Sequence, residues 1–145
     1  MAPEPLSTVP GKRTLGATVR DEGAAVVDFA LVGALLTLLF VGVLQVALVV
    51  HVRNTLIDCA GEGARWAARA DRTPDDGVRR TLDLIAAELS PAYAARVAGR
   101  IGAHEFDQGG VRVVEVTVRA PLPVVALAGP TGVLTVRGHA FAERQ

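Results

Sequence analysis

The sequence predicts a membrane α+β protein, in which one long N-terminal transmembrane helix extends into a stalk and is followed by a small external α+β domain. Three observations predict this fold class. An uncharged run of 22 residues extends from Phe29 to Val50. An alanine-rich, proline-free segment follows it up to residue 70. The remaining residues, 71–145, combine a helical period with β-branched alternation. We therefore divide the chain into a leader (1–23), a transmembrane and stalk helix (24–70) and an external domain (71–145).

The uncharged run is long enough to cross a bilayer. As a helix, its 22 residues extend about 33 Å, and a hydrocarbon core is about 30 Å thick. Gln45 is the only strongly polar side chain in it. A core helix of a small soluble protein is usually shorter and has a polar face. The run therefore favours a membrane span.

Two other kinds of N-terminal segment fit the run less well. A cleaved secretory signal has an apolar core of about 7–15 residues and a small-x-small cleavage site, whereas this run leaves through Val49–Arg53 without one. A lipoprotein anchor needs a small residue before its cysteine, and Ile57-Asp58-Cys59 lacks it. We therefore expect the segment to remain in the mature protein.

Charge leaves the orientation open and excludes one class of partner. Three basic residues precede the run and three follow it within about 20 residues, so the positive-inside rule gives nearly a draw. They are Lys12, Arg13 and Arg20 before it, and Arg53, Arg65 and Arg69 after it. The 15 basic and 15 acidic residues balance, so no basic surplus indicates nucleic-acid binding.

An aspartate stands directly before the uncharged run. Asp28 interrupts an apolar stretch that otherwise extends from Ala24 to Val50. A carboxylate in a spanning helix costs about 2.5–3.5 kcal/mol at the centre and less near an end. Asp28 is therefore either solvated at the level of the headgroups, or it needs a cationic partner within the membrane.

The residues around this aspartate resemble a type IV prepilin processing site. Charged Arg20-Asp21-Glu22 is followed by Gly23, four small or aliphatic residues, Asp28, Phe29 and the hydrophobic helix. The resemblance implies that a membrane peptidase cuts after Gly23 on the cytoplasmic side. Ala24 then becomes the N-terminus and Asp28 the fifth residue, where this family usually has glutamate. It also implies that the residues after the span lie outside the cell.

Cleavage would create a cation close to this carboxylate. The new α-amine has a reference pKa of about 7.7–8.0 and is largely protonated at neutral pH. The Asp28 carboxylate, one turn along the same chain or on a neighbouring subunit, can neutralise it where water is scarce, because each charge offsets the desolvation of the other.

A second motif lies at the far end of the alanine-rich segment. Gly63-Ala64-Arg65 follows the membrane run at the position where TadE-like pseudopilins commonly have a Gly-Ala-Arg motif. Together with the processing site, it extends the resemblance over about residues 20–70. The resemblance implies a minor pilin or pseudopilin of a Tad/Flp-type pilus, secretion or adhesion apparatus. Its partners would be a prepilin peptidase, other pilins, a membrane assembly platform and membrane lipid, and no cofactor is implied.

The stalk segment carries features of helix packing. Small residues at 60, 61, 64, 67 and 68 recur at helical spacing and allow another helix to approach closely. We take Phe29, Gly63, Ala64 and Arg65 as the helix-packing residues. Glu62 lies three residues from Arg65 and is predicted to pair with it, while the two glycines at 61 and 63 weaken the helix.

The external domain is predicted to hold two further helices and two strands. Residues 71–77 read as a loop ending in an Asp-Gly turn signal. Residues 78–89 form a helix, and Ser90 caps another that begins at Pro91. Residues 111–119 and 133–142 form strands that pair antiparallel across a proline-glycine loop at 120–132.

The sequence contains no recognisable catalytic or metal-binding motif, so we do not expect an enzyme. Its three histidines, at 51, 104 and 139, have no ligand spacing. Cys59 is the only cysteine, which leaves a small packed residue or an intersubunit disulfide. Besides the pseudopilin, two alternatives stay open: an unprocessed, signal-anchored binding or sensory module, and an anchored enzyme.

Overall fold

A computed structural model describes residues 18–123 and 132–142, with side chains from Gly23 onward. Within these residues three α-helices precede three strands, which confirms the predicted fold class. The elements are α1 (Thr18–Ala67), α2 (Pro74–Glu88), α3 (Pro91–Val97), a 3-10 turn (Ala98–Arg100), β1 (Ile101–Gln108), β2 (Val111–Pro121) and β3 (Val133–Phe141). Most of the predicted leader and most of the 120–132 loop lie outside the described residues.

The chain divides into two units after Val41. In the first unit, every side chain that the structure describes belongs to α1, and all of them are exposed. The second unit begins at Gly42 and contains the rest of α1, α2, α3 and the sheet. Helix α1 ends at Ala67, close to the predicted end of the stalk at residue 70.

The core of the second unit forms around one face of α1. Leu56 of α1, Ile85 of α2 and Val116 of β2 are fully buried in it. Helix α3 adds Tyr93, whose hydroxyl donates to the Pro121 carbonyl at 2.8 Å. The C-terminal half of α1, which the sequence predicted to be a stalk, is therefore a central element of the domain. The other buried members are Val52, Cys59, Ala60, Ala64, Ala94, Val97, Val118, Ala120 and Val136.

The sheet is antiparallel in the order β1-β2-β3. The predicted pairing of β2 with β3 is confirmed, while β1 was not predicted. A Gly109-Gly110 turn with φ of 67° and 83° joins β1 to β2, and Gly110 N donates to Asp107 Oδ1 at 2.8 Å. A two-residue Gly-Gly loop before a strand is a hairpin signal. This signal identifies β1 better than the weak alternation of its own residues.

The prediction of a loop over 71–77 is wrong at its C-terminal end, because α2 begins at Pro74. Thr73 caps this helix: its Oγ1 accepts from Asp76 N, and Asp76 Oδ2 accepts from Thr73 N at 3.0 Å. The reciprocal capping box and the proline at the first helical position both favour a helix start. Asp76 and Gly77, which the sequence analysis took as a turn, therefore lie in the first turn of α2. The predicted Ser90 cap of α3 is confirmed.

Glycines allow α2 and β3 to approach the backbone of α1. A Cβ at Gly63 would overlap Thr81 Oγ1 and lie 2.8 Å from the Gly77 carbonyl oxygen. A Cβ at Gly138 of β3 would overlap the backbone between Ala60 and Gly61. The surface that the small residues of α1 offer for close packing is therefore occupied largely by α2 and β3 of the same chain.

The contact at Gly63 predicts a steric penalty for alanine. We expect Gly63→Ala to lower the free energy of unfolding by about 1–3 kcal/mol, because the added methyl group collides with Thr81. Thermal unfolding of the detergent-solubilised full chain, followed by the fluorescence of Trp66, measures this. Gly61→Ala is the control, since its Cβ meets only Arg65 side-chain atoms at 3.6 and 3.9 Å. Equal melting temperatures for the two variants would contradict the steric explanation.

Candidate functional site

The predicted processing and charge-pairing residues lie on an uncovered helix. Gly23, Ala24, Asp28 and Phe29 all belong to α1 and are exposed, with Phe29 81% exposed. Nothing lies within 4 Å of a Cβ built at Gly23. Among the residues that the structure describes, none forms an ion pair or hydrogen bond with the Asp28 side chain. Its carboxylate is free for a partner from outside the described chain.

The domain begins to cover α1 at Gln45. The side-chain nitrogen of Gln45 donates to the Pro123 carbonyl at 2.7 Å. Leu48 and Val49, in the next turn of the helix, are partly buried. An apolar cavity of about 220 Å³ lies at this contact. Towards the N-terminus, all 22 residues of 23–44 are exposed. The part of α1 that the domain leaves exposed, 23–44, therefore begins and ends about six residues before the uncharged run, 29–50.

The Gly-Ala-Arg motif divides between the core and the surface. Gly63 is buried against α2, and Ala64 is fully buried in the domain core. Arg65 is exposed and donates from two of its nitrogens to Glu62 Oε2, at 2.7 and 3.0 Å, which confirms the predicted pair. The first two residues of the motif thus pack the chain's own domain, and the third is available at the surface.

A buried carboxylate lies on the sheet face opposite the core. Glu115 is 8% exposed, and its strand neighbours in the register are His104 on β1 and His139 on β3. His139 Nε2 lies 2.6 Å from Glu115 Oε2, Thr117 Oγ1 donates to Oε1 at 3.1 Å, and His104 Nε2 lies 3.7 Å away. His104 and His139 are far apart in the sequence, and only the pairing of three strands brings them together. The sequence analysis did not group them because it did not predict β1.

Opposing effects act on the Glu115 carboxyl. Burial favours its neutral form, but the hydrogen bonds from His139 and Thr117, with the nearby Arg137, favour the carboxylate. Together they hold the pKa of Glu115 below its usual value of 4.5. Within residues 18–123 and 132–142, no group of histidine, cysteine and acidic side chains could hold a metal ion. Because its members come from β1, β2 and β3, the cluster links the three strands.

Cys59 lies in the core and is 3% exposed. Burial, together with the carboxylates of Glu88 and Asp58, raises the pKa of its thiol to about 11. A buried thiol that stays protonated is a poor nucleophile for disulfide exchange. The structure thus favours the small packed residue over the intersubunit disulfide.

Charged side chains gather at two places on the surface of α1 within the domain. A cavity of about 470 Å³ between α1 and α2 is lined by three carboxylates, those of Asp58, Glu62 and Glu88, and by one guanidinium, that of Arg65. Near the end of α1, three guanidinium groups surround the ring of Trp66. Those of Arg69 and Arg72 lie 4.7 Å from its centroid and that of Arg80 lies 5.6 Å away, distances at which cation–π attraction operates. Sequence reasoning missed these two groups because each of them needs residues from outside α1 as well as from α1 itself.

Comparison with known proteins identifies one region. Residues 23–65 match the family model described as TadE-like protein. This match confirms the resemblance to TadE-like proteins over that segment, which begins at the predicted processing glycine and ends at the arginine of the Gly-Ala-Arg motif. No curated protein and no solved structure matches the chain.

The Glu115 cluster predicts a pH-dependent contribution to stability. We expect Glu115→Gln to lower the free energy of unfolding at pH 7 by about 1 kcal/mol, because the charged hydrogen bond to His139 is lost. Since the folded-state pKa of Glu115 is lowered, its contribution is present above pH 4.5 and is lost as the pH falls through the folded-state value.

Urea unfolding of the full chain in detergent, followed from about pH 7 to about pH 3 so that it covers this titration, measures the effect. The variant and the wild type should converge at the acidic end. Glu105→Gln is the control, because Glu105 is exposed and lies 3.8 Å from Arg112 in a weak surface pair. A difference between wild type and Glu115→Gln that is the same at every pH would contradict the ionic role.

Proposed function

We propose that this chain, which is TadE-like over residues 23–65, is a minor pilin or pseudopilin of a Tad/Flp-type pilus or secretion apparatus. In this proposal a prepilin peptidase matures it after Gly23, and it assembles through its hydrophobic helix. The observation that carries the proposal is the position of the family match. It begins at the processing glycine and covers the exposed apolar part of α1.

The extent of the uncovered helix supports a membrane role for Asp28. The helix is long and apolar enough to span a membrane. The domain covers it from Gln45 onward, so the residues left for the hydrocarbon are 24–44, which extend about 31 Å. All of them are needed to cross a core of about 30 Å. Asp28 then lies about one turn inside the apolar stretch, where a carboxylate needs a cation.

The same arrangement supports an orientation. Cleavage after Gly23 on the cytoplasmic side keeps the leader, 1–23, in the cytoplasm and places the domain at 71–145 outside. The part of α1 from Ala24 to Ala67 then forms the transmembrane and stalk helix, and its C-terminal half lies in the domain core. The partners are the prepilin peptidase, other pilins or pseudopilins, the membrane assembly platform and membrane lipid. The role is structural, since TadE-like pilus proteins are components of an apparatus.

Processing is tested by mass spectrometry of the intact chain extracted from membranes, with and without the cognate prepilin peptidase. We expect a mature chain beginning at Ala24 only when the peptidase is present. Gly23→Val should block cleavage, while Gly33→Val is the matched control, because both glycines are exposed on α1 with no neighbour within 4 Å. An intact leader in every sample would contradict the pseudopilin and favour an unprocessed, signal-anchored module.

The charge-pairing role of Asp28 is tested separately from processing. We expect Asp28→Ala to be cleaved at close to the wild-type level but to lose most of its incorporation, because the new α-amine is then desolvated without a counter-charge. Asp28→Glu should retain assembly. Incorporation is measured as the fraction of mature chain that co-purifies with the assembled apparatus. Wild-type incorporation of Asp28→Ala would remove the role given to this carboxylate.

A further inference from the structure

One contact marks the end of the domain at which α1 enters it. Gln45, near the start of the second unit, donates to the carbonyl of Pro123, just after β2. Leu122 N donates to the Gly132 carbonyl, so the start of β3 lies at the same end. We call this part of the second unit the entry end. In the proposed function residues 24–44 cross the hydrocarbon, so chain connectivity keeps the entry end next to the membrane surface.

The entry end exposes apolar side chains. Val46 and Val50 of α1 are 64% and 49% exposed, and Val133, the first residue of β3, is 61% exposed. Val133 pairs with Pro121 in the register, two residues before Pro123. Water therefore meets apolar surface on both α1 and the sheet at this end of the domain.

Four exposed arginines lie close behind these valines, each on a different element. We call them the arginine collar: Arg53 of α1, Arg96 of α3, Arg100 of the 3-10 turn and Arg119 of β2. Along α1, Arg53 is eight residues beyond Gln45, which corresponds to about 12 Å. Arg119 is four residues before Pro123, which corresponds to about 13 Å of extended chain.

The other two collar residues are placed by their neighbours. Arg96 lines a cavity of about 360 Å³ together with Leu48 and Pro123. Arg100 directly precedes Ile101, which pairs with Val118, so Arg100 lies beside Arg119. Arg100 and Arg119 line one shallow cavity of about 480 Å³. The collar therefore continues from α1 across α3 to the sheet.

No acidic residue accompanies the collar. Residues 45–57, 89–103, 117–123 and 132–138 contain neither aspartate nor glutamate. The ion pairs between described residues involve other arginines, at positions 65, 72, 112 and 137. Along these elements the first acids are Asp58, Glu88 and Glu115. Although the chain is neutral as a whole, the entry end is positively charged.

We propose that the arginine collar binds the headgroups of anionic phospholipids in the adjoining leaflet, while the exposed valines lie at the edge of the hydrocarbon. Apolar side chains beside arginines are typical of surfaces that lie in the membrane interface. A guanidinium donates two parallel hydrogen bonds to a phosphate group, and basic residues near a membrane attract anionic lipid. The inference rests on the proposed function and deepens it, because it names the class of lipid and the residues that contact it.

The collar is compatible with a domain outside the cell. The positive-inside rule counts basic residues within about 15–20 residues of a span, and long domains cross the membrane largely regardless of their charge. Arg53 falls within that window, whereas the next collar residue, Arg96, follows 43 residues later. Three of the four arginines therefore reach the membrane surface only through folding of the domain, and they do not determine its orientation.

Lipid selectivity measured by electron spin resonance tests the collar. The full chain is reconstituted in phosphatidylcholine vesicles that contain a trace of phosphatidylglycerol or phosphatidylcholine with a nitroxide on the acyl chain. The motionally restricted fraction of each probe gives its relative affinity for the protein. We expect the wild type to prefer phosphatidylglycerol about fivefold, and the preference to decrease between about 0.05 M and about 0.5 M NaCl because salt screens exposed charges. Equal restricted fractions would overturn the proposal and favour an acidic protein as the occupant of the collar.

A collar variant shows whether these arginines cause the preference. It combines Arg53→Gln, Arg100→Gln and Arg119→Gln, and keeps Arg96 because that guanidinium lies 5.1 Å from the ring centroid of the buried Tyr93. The preference should fall to about twofold or less. Each single substitution should also lower it, which keeps the test independent of the stability of the triple variant. An unchanged preference would overturn the proposal. The basic residues of the leader are present in every protein, so the difference reports on the collar.

A matched control removes three exposed arginines far from the entry end. Arg69→Gln, Arg79→Gln and Arg112→Gln change the net charge by the same amount as the collar variant. Ala67, two residues before Arg69, already lies 22 residues beyond Gln45 on α1, or about 33 Å. The control should keep the wild-type preference. An equal loss would show an effect of net charge in place of the collar, and would overturn the proposal.

Mass spectrometry of membrane-extracted chains separates this inference from the proposed function. Chains that begin at Ala24, combined with equal restricted fractions of the two probes, would refute the collar and leave the pseudopilin intact. A preference that depends on the collar, combined with an intact leader in the presence of the peptidase, would support the collar and refute processing.

Discussion

Helix α1 has to satisfy two surroundings with one continuous backbone. Over residues 23–44 its apolar side chains are exposed, whereas from Gln45 onward a domain packs against it. The packing depends on a close approach at which a methyl group has no space. Gly63 receives α2, and β3 approaches the backbone between Ala60 and Gly61 through Gly138. The small residues of α1 are thus what join the helix to its domain, and this junction fixes which faces of the helix stay open.

Two different surfaces of α1 remain open. The first is the apolar stretch, which removes water most effectively when it meets lipid or other apolar helices. The second is the charged face of Asp58, Glu62, Arg65 and Arg69 within the domain, which the core leaves wholly or partly exposed.

The sheet contributes rigidity. Its inner face supplies Val116, Val118 and Val136 to the core. On the outer face, Glu115 is hydrogen-bonded to His139 across the β2–β3 pair and lies near His104 across the β1–β2 pair. A buried carboxylate with several donors holds its strands in one register, because a shift would leave its charge unpaired. Core packing and a polar cluster thus fix the same sheet from its two sides.

The sequence by itself determined the features that depend on neighbouring residues along the chain. These include the length of the apolar run, the Glu62–Arg65 pair one turn apart, the Ser90 cap and the β-branched strands β2 and β3. The TadE-like resemblance is of the same kind, since both of its motifs are local, and the family match covers them.

Only the tertiary structure decided the features that depend on distant parts of the chain meeting. The Glu115 cluster needs three strands in register, and the role of Gly63 needs α2 to cross α1. The end of the exposed helix is set by Gln45 meeting Pro123, 78 residues along the chain. Local propensity carries no information about such contacts, because which residues meet depends on how the whole core packs.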